Sequence, residues 1–165
     1  MRVGIVGAGM AGLACAEELT RSGHTVLLFD KGRGPGGRMS TRRIQTLAGE
    51  AFFDHGAQYF TARDDAFRRQ VAAWMSAGLA AAWPSAGSDA FVGVPAMNAP
   101  VRSMAKGQPV QWATRVTKLE ALGHRWRLIL EPGEAVDVDI AVVATPAEQA
   151  AELLALVAPG LAVQA

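Results

Sequence analysis

The chain has 165 residues, of which 50% are hydrophobic and 19% charged, and its formal net charge is +1 at pH 7. This composition is typical of a globular protein of about one domain and argues against a disordered chain. The low net charge argues against nucleic acid or a membrane surface as a partner, and no apolar run reaches the roughly 18 residues that span a bilayer.

The cysteine count and the N-terminus favour a cytoplasmic protein. The only cysteine, Cys15, lies on the apolar part of a predicted helix and cannot form an internal disulfide. Arg2 and the apolar residues after it superficially resemble a secretory signal. The glycines that follow at fixed spacing indicate a strand and a turn instead.

The first thirty residues predict a dinucleotide-binding βαβ unit. A short apolar strand, Arg2–Val6, runs into the turn Gly7–Gly12 (G-A-G-M-A-G), and Leu13–Arg21 has helical spacing of apolar residues. A second apolar strand, Thr25–Phe29, ends at Asp30. A G-x-G-x-x-G turn between strand and helix, with an acid after the next strand, is the dinucleotide-binding fingerprint.

Each part of this fingerprint has a physical task. Gly7 permits the tight exit from the strand, Gly9 lets the backbone approach a pyrophosphate, and Gly12 lets the helix pack closely on the strand. The helix N-terminus offers N–H donors to phosphate, and Asp30 is expected to accept hydrogen bonds from an adenosine ribose. A glycine-rich turn that only connects strand to helix is the alternative.

A basic, glycine-rich stretch follows Asp30. The eight residues from Lys31 to Arg38 (K-G-R-G-P-G-G-R) include five glycines or prolines, which predicts irregular structure. We interpret it as a second anion-binding segment, because arginine supplies charge-assisted hydrogen bonds. A solvated loop and a nucleic-acid patch are the alternatives, although no aromatic residues interleave. The basic residues are Lys31, Arg33, Arg38, Arg42 and Arg43.

Two motifs carry a resemblance to a known family. The sequence from Asp30 to Arg38 resembles the acid and G-G-R signature of FAD-dependent, amine-oxidase-like flavoproteins. Within that group, G-R-M-S-T at 37–41 and F-D-H-G-A-Q-Y at 53–59 resemble the renalase branch. Gly32 departs from the pattern, since many amine oxidases carry an arginine there.

The resemblance implies FAD contacts in addition to the fingerprint glycines and Asp30. Ala11 falls inside the pyrophosphate turn, Arg38 lies near the pyrophosphate and the flavin, and Gln58 and Tyr59 lie beside the isoalloxazine. The full set implied in this part of the chain is Met10, Ala11, Lys31, Gly36, Gly37, Arg38, Met39, Gln58 and Tyr59.

The stretch from residue 44 to residue 60 predicts a hairpin and a turn. Ile44–Leu47 and Glu50–Phe53 are predicted strands, Asp54–Gly56 a turn, and Gln58–Phe60 extended. His55 is a candidate catalytic base, but a turn histidine beside an aspartate is more often structural.

A helix is predicted over Asp65–Ala77, with Thr61 and Asp64 forming a capping-box-like pattern before it. Its aromatic stripe is interpreted as core or inter-domain packing rather than a ligand cage. The residues on that face are Phe67, Val71, Trp74 and Met75.

The rest of the chain predicts a β-meander and a return to the sheet. The predicted elements are a strand at Phe91–Val94, a helix at Ala99–Ala105, a strand at Val110–Trp112, meander strands at Thr114–Ala121, Arg125–Glu131 and Ala135–Val138, a strand at Asp139–Thr145 and a helix at Ala147–Val157. This order again resembles the flavoprotein family, which implies a backbone contact from Val116 to the adenine and places Thr145 at the cofactor's edge. An ordinary α/β connection with a hairpin insert is the alternative.

The predicted fold is α/β: a Rossmann-like FAD-binding domain, with a parallel sheet and a β-meander crossover, and the beginning of an inserted substrate domain. Residues 1–60 and 109–165 are assigned to the FAD-binding domain and residues 61–108 to the inserted segment. Renalase-like chains are about twice this length, so we expect a truncated product or a fragment that lacks the C-terminal half.

The function implied is that of an FAD-dependent oxidoreductase. It would take a hydride from a carbon next to nitrogen, in a substrate such as an isomeric dihydronicotinamide dinucleotide or an amine, with O2 as the electron acceptor. We assign no catalytic side chain and no metal, and expect neither nucleic acid nor membrane as a partner. A non-catalytic dinucleotide-binding fragment and an NAD-dependent dehydrogenase are the alternatives.

Overall fold

The computed structural model describes residues 1–164 and divides into two compact units. The first unit comprises Met1–Gly34 and Gly107–Ala165, and the second comprises Pro35–Lys106. The predicted domain boundaries at residues 60 and 108 stay a prediction. Among the described residues, no helix has the length and apolarity needed to cross a membrane.

Strands and helices alternate at first and strands dominate later. The strands are β1 Arg2–Val6, β2 Thr25–Phe29, β3 Thr41–Thr46, β4 Gly49–Asp54, β5 Phe60–Thr61, β6 Ala80–Ala82, β7 Ala90–Gly93, β8 Val110–Gln111, β9 Val116–Leu122, β10 Arg125–Leu130, β11 Ala135–Val138 and β12 Ile140–Val143. The helices are α1 Met10–Arg21, α2 Asp65–Ser76, α3 Ala99–Ala105, α4 Ala147–Leu154 and α5 Pro159–Ala162, with short 3₁₀ turns at Gly37–Met39 and Pro84–Ala86.

The first unit is built on a parallel sheet with the strand order β12-β1-β2-β8. β1 is central, and its Ile5 lies between Leu28 of β2 and Val142 of β12. The carboxyl ends of β1, β2 and β12 therefore meet at one edge, which is where ligands bind in open parallel sheets.

The two faces of β1 pack against different layers because successive side chains of a strand point to opposite faces. On one face, Ile5 lies against α1, whose Leu13 is buried. On the other face, Gly4 approaches Leu128 and Val138 of the antiparallel meander β11-β10-β9. Glycine at position 4 lets the meander pack closely on the sheet.

The core between the sheet and the meander is apolar and continuous. Leu153 and Leu154 of α4 pack against its edge. Its buried members are Val6, Phe29, Val116, Leu119, Leu128, Leu130 and Val138.

The second unit contains a hairpin, β3–β4, and a three-stranded antiparallel sheet with the order β5-β7-β6. α2 buries Val71 and Trp74. The ring of Phe60 on β5 lies 6.3 Å from that of Trp74 and 6.0 Å from that of Phe91, centroid to centroid. Phe67, Val71 and Trp74 therefore pack in the core, as predicted, whereas Met75 of the predicted face is 41% exposed.

The α/β class with its parallel sheet and meander is confirmed, and the bounds of β1, β2, α3 and β11 match the predicted ones. Other details were wrong: β3 begins at Thr41 rather than Ile44, α4 ends at Leu154 rather than Val157, and α5 was not predicted. α1 begins at Met10 rather than Leu13, because the residues of the glycine turn already have helical geometry. The N-cap of α2 is Asp64, whose side chain accepts a hydrogen bond from the Phe67 amide at 3.0 Å, and not Thr61. Strand β6, made of three alanines, was not predicted.

Candidate functional site

Gly7 is required by its backbone and by its neighbours. Its φ is +102°, a region that L-residues rarely adopt. Its N–H donates to the Phe29 carbonyl at 2.8 Å, and a Cβ on Gly7 would lie 2.9 Å from the carbonyl oxygen of Ala144. Gly7 therefore joins the ends of all three neighbouring strands, β1, β2 and β12.

Gly12 and Gly9 differ in what surrounds them. A Cβ on Gly12 would collide with the carbonyl oxygen of Gly7, so this glycine is needed to seat α1 on the turn. A Cβ on Gly9 would meet no heavy atom within 4 Å. The protein itself does not require glycine at position 9, but a ligand lying against the turn would.

The start of α1 is an open anion-binding position. Gly9 is the N-cap and provides no side-chain hydrogen bond, and the first turn has no acidic residue. The first amides of a helix have no acceptor within it, and here they include those of Met10, Ala11 and Gly12. Unpaired N–H groups and the helix dipole together favour a phosphate at this end.

Asp30 lies directly against the glycine turn. Its Oδ2 accepts a hydrogen bond from the Ala8 amide at 2.7 Å, and its Oδ1 accepts one from the Gly32 amide at 2.7 Å. A carboxylate has about four lone-pair sites, so both oxygens can accept further bonds from a ribose. The structure thus brings Asp30 to the turn and gives it a second task, which is to fix the turn's backbone.

Gly32 stands where many amine oxidases carry an arginine, and the structure shows a local reason for glycine here. A Cβ at position 32 would lie 2.9 Å from Oδ1 of Asp30, the oxygen that accepts from the Gly32 amide. The short loop between Asp30 and Gly32 therefore favours a residue without a side chain.

Thr145 carries an unpaired buried hydroxyl next to the turn. Within the described part of the chain, its Oγ1 is the one buried side-chain oxygen or nitrogen without a hydrogen-bond partner. The methyl group of Thr145 lies 3.4 Å from where a Cβ of Gly7 would be. A buried hydroxyl without a partner costs about 1–3 kcal/mol, and a ligand's polar atom would remove that cost. Glycine turn, Asp30 and Thr145 together form a cradle that fits a dinucleotide.

Val116 belongs to the core beneath the meander, where its side chain is buried. Its predicted backbone contact with adenine stays a prediction. Lys31 is exposed.

The two motifs of the second unit form one structural piece. The carbonyl of Arg38 accepts a hydrogen bond from the Ala57 amide at 2.7 Å. A Cβ on Gly56 would collide with that same carbonyl, and a Cβ on Gly36 would lie 2.9 Å from Cα of Ser40. The G-G-R turn and the D-H-G-A-Q-Y segment are therefore packed together, and their glycines are needed for that packing.

Among the residues expected near the flavin, Met39 is buried while Gln58 and Tyr59 are exposed. The ring of Tyr59 meets that of Trp83 edge to face at 5.7 Å between centroids. Arg38 is exposed and has no carboxylate within 4.0 Å among residues 1–164. The side chains of Arg38, Gln58 and Tyr59 are therefore accessible to a ligand, and their predicted flavin contacts stay predictions.

Two carboxylates of the first unit have lowered pKa values, and both lie outside this cradle. Hydrogen bonds from Arg127, at 2.6 and 2.9 Å, lower the pKa of Asp137. A hydrogen bond from the backbone amide of Arg2, at 2.7 Å, lowers that of Asp139. Both residues hold the meander in place and suggest no acid–base role. The described residues contain no cluster of His, Cys, Asp and Glu that could hold a metal.

Sequence comparison supports the prediction of a dinucleotide-binding fold. Residues 5–74 match the family described as NAD(P)-binding Rossmann-like domain. A putative flavin-containing monoamine oxidase of Mycobacterium tuberculosis is 58% identical over 40 residues, which are 24% of this chain and 9% of the relative. An L-amino acid oxidase of Cerastes cerastes is 52% identical over 42 residues, which are 26% of this chain and 8% of the relative.

Structural comparison extends the likeness to nearly the whole chain. The crystal structure of a putative protoporphyrinogen oxidase from Exiguobacterium sp. 255-15 superposes with a TM-score of 0.67 and 11% identity. The match covers 99% of this chain and 63% of that one. At this identity the likeness shows the fold, a Rossmann-like domain, and the matched segments are a small part of the curated relatives.

Proposed function

We propose that this chain binds FAD and forms the cofactor-binding part of an amine-oxidase-like oxidoreductase. The main observation behind this proposal is the cradle at the end of β1. It combines open space at Gly9, unpaired amides at the start of α1, the carboxylate of Asp30 and the orphaned hydroxyl of Thr145. The local identity to a putative flavin-containing monoamine oxidase and to an L-amino acid oxidase supports FAD over other dinucleotides.

The residues have distinct tasks in this proposal. The amides of Met10, Ala11 and Gly12 bind the pyrophosphate, Asp30 accepts from the ribose hydroxyls, and the Thr145 hydroxyl hydrogen-bonds a polar atom of the cofactor. The G-G-R resemblance adds a charge-assisted bond from Arg38, and Gln58 and Tyr59 as flavin contacts. Gly36, Gly37, Met39, Lys31 and the backbone of Val116 complete the proposed set.

Bound FAD would supply the redox chemistry, accepting a hydride from a carbon next to nitrogen and passing electrons to O2. We propose a small-molecule substrate and, on the renalase-like motifs, an isomeric dihydronicotinamide dinucleotide. The chain's own contribution is to bind and orient the cofactor, and no side chain is assigned a catalytic role. The single Cys15 favours a cytoplasmic location.

Isothermal titration calorimetry of the full chain with FAD, NAD and ADP tests which cofactor it binds. We expect FAD to bind most tightly, because only its isoalloxazine can use the contacts proposed for Gln58 and Tyr59. Equal affinities for all three would favour a non-catalytic ADP-binding fragment. Tighter binding of NAD, which the description of the matching family also allows, would favour a nicotinamide-dependent dehydrogenase.

A second experiment tests the reaction class. FAD-loaded protein is mixed anaerobically with aged NADH, which contains isomeric dihydronicotinamides, and the flavin absorbance is followed. Bleaching that reverses with air is the expected result. Persistent flavin absorbance with every reductant tried would contradict oxidase activity for this chain and leave FAD binding to the titration.

A further inference from the structure

A cavity of about 180 Å³ lies within the second unit, between the hairpin β3–β4 and the start of α3. Two arginines line it, Arg43 from β3 and Arg102 from α3, together with Asn98 just before α3. No acidic residue is part of its lining. A surface cavity with two guanidinium groups and no carboxylate favours an anion.

The donors in this cavity are not all used by the protein. Nε of Arg43 pairs with Oε1 of Glu50 at 3.3 Å. Arg102 has no carboxylate within 4.0 Å among residues 1–164. The side-chain amide of Asn98 forms no hydrogen bond in the described residues, although its backbone amide does. The guanidinium of Arg102 and the amide of Asn98 are therefore available to a ligand.

The backbone around these donors is fixed by a polar junction. The Thr41 hydroxyl donates to Oδ1 of Asp54 across the hairpin, and that same oxygen accepts from the Met97 amide at 3.2 Å. The Asn98 amide donates to Oγ1 of Thr41 at 3.4 Å. The hairpin thus holds the start of α3, so Asn98 and Arg102 have defined positions relative to β3.

Apart from Thr41, the rest of the lining is apolar. Phe52 is 53% exposed, and the guanidinium carbon of Arg43 lies 5.4 Å from the centre of its ring. Pro95 and Ala96 line the other side. An exposed aromatic face beside unpaired donors suits a ligand that has an apolar body and a charged end.

We propose that this cavity binds a small carboxylate carried on an apolar body about the size of a benzene ring. Arg102 forms the bidentate contact, Asn98 donates from its amide, and Phe52 packs against the apolar body. The size agrees, because a cavity of about 150 Å³ accommodates benzene. All of these residues lie in the second unit, and none of them belongs to the set proposed to contact FAD.

NMR titration of the full chain tests this site, with the Asn98 side-chain amide and the arginine Nε–H groups as reporters. The probes are benzoate, the neutral benzamide and inorganic phosphate. We expect saturable shifts of the Asn98 and Arg102 signals with benzoate, and much weaker ones with the other two. If benzamide bound as tightly as benzoate, the charge of the ligand would play no part. If phosphate bound as tightly as benzoate, the apolar surface would play no part. Either result would overturn the proposal.

Variants make the assignment specific. Arg102→Gln should weaken benzoate binding about tenfold, since it removes a charge-assisted pair of hydrogen bonds. Arg69→Gln is the matched control, because Arg69 is an exposed arginine of α2 in the same unit and does not line the cavity. Backbone spectra report whether each variant is folded, and Arg102→Lys keeps the charge while losing the bidentate geometry. Equal effects of the changes at positions 102 and 69 would overturn the proposal.

Discussion

At the scale of single residues, the glycines of the turn separate into those the fold needs and one that it does not. Gly7 has a positive φ and Gly12 lacks room for a Cβ, whereas Gly9 faces open space with an ordinary φ of −78°. A Cβ at position 9 would fill open space, which is the volume of the pyrophosphate in the proposed site. In that proposal, glycine serves the fold at two positions and the ligand at the third.

The first prediction follows from this separation. Gly9→Val should leave the free energy of unfolding of the ligand-free chain within about 0.5–1 kcal/mol of the original, because a Cβ at this position meets no heavy atom within 4 Å. FAD binding should fall by at least about tenfold, since the side chain occupies the phosphate position. Denaturant unfolding and calorimetry measure the two effects. Gly12→Ala is the contrast, expected to destabilise the chain by its collision with Gly7. Full FAD affinity in Gly9→Val would contradict the proposed site.

Thr145 provides the second prediction, in which stability and binding change in opposite directions. Thr145→Val removes a buried hydroxyl that has no partner, so the ligand-free chain should become more stable by about 1 kcal/mol. If the hydroxyl hydrogen-bonds the cofactor, the same change should weaken FAD binding several-fold. Thr145→Ser keeps the hydroxyl and should keep most of the affinity. Unchanged binding in the valine variant would show that the hydroxyl does not contact the cofactor.

At the scale of elements, the meander is held by ion pairs whose pH dependence has a definite sign. Asp137 on β11 accepts two hydrogen bonds from Arg127 on β10, which lower its pKa below the ordinary 3.8. A carboxylate with a lowered pKa stabilises the fold above its unfolded-state pKa, and this contribution is lost as the pH falls through the folded-state pKa.

The third prediction is that Asp137→Asn flattens the acid limb of the stability curve. The original chain should lose stability as the pH falls below about 4, and the variant should lose less over the same range. The urea midpoint, measured from pH 6 to pH 2, gives the comparison. Glu17→Gln, a change at an exposed acid of α1, is the control and should keep the original slope. If Asp137→Asn left the pH dependence of the urea midpoint unchanged, the acid sensitivity would come from other carboxylates.

The elements also show how far local sequence determines local structure. The apolar runs of β1 and β2 end at Gly7 and Asp30, so their bounds could be read from the sequence. Alanine has little preference for strands, and Ala80–Ala82 is extended because it pairs with β7. Asp64 and Thr61 are both good N-caps, and only the hydrogen bond to the Phe67 amide shows which one is used.

The candidate site likewise has some features that the local sequence determines and others that depend on the tertiary fold. The spacing of Gly7, Gly9, Gly12 and Asp30 predicts the cradle, because all four residues lie within one βαβ unit. The bond from the Ala8 amide to Asp30 and the close approach of Ala144 to Gly7 depend on which strands are neighbours. Thr145 was assigned only through the resemblance, since no local pattern marks a hydroxyl that will be buried without a partner.

At the scale of the whole molecule, cofactor binding and stability are linked by mass action. A ligand that binds only the folded state raises the free energy of unfolding by RT ln(1 + [L]/Kd), about 2.7 kcal/mol at 100 times the Kd. The thermal midpoint of the chain should therefore rise with FAD concentration, and the rise should continue with each tenfold increase. This gives a test that needs neither substrate nor turnover.

The fourth prediction combines this linkage with the two proposed sites. FAD should raise the midpoint of the original chain and of Arg102→Gln by the same amount, because Arg102 lies in the second unit's cavity and outside the cradle. It should raise the midpoint of Gly9→Val clearly less at the same concentration, since a tenfold weaker affinity removes about 1.3 kcal/mol of the stabilisation. Differential scanning calorimetry measures these midpoints, and the same experiment with ADP shows how much of the FAD-induced rise comes from the ADP half of the cofactor. An undiminished FAD shift in Gly9→Val would mean that the dinucleotide binds elsewhere, and a shift that is lost in Arg102→Gln would mean that the cavity takes part in cofactor binding.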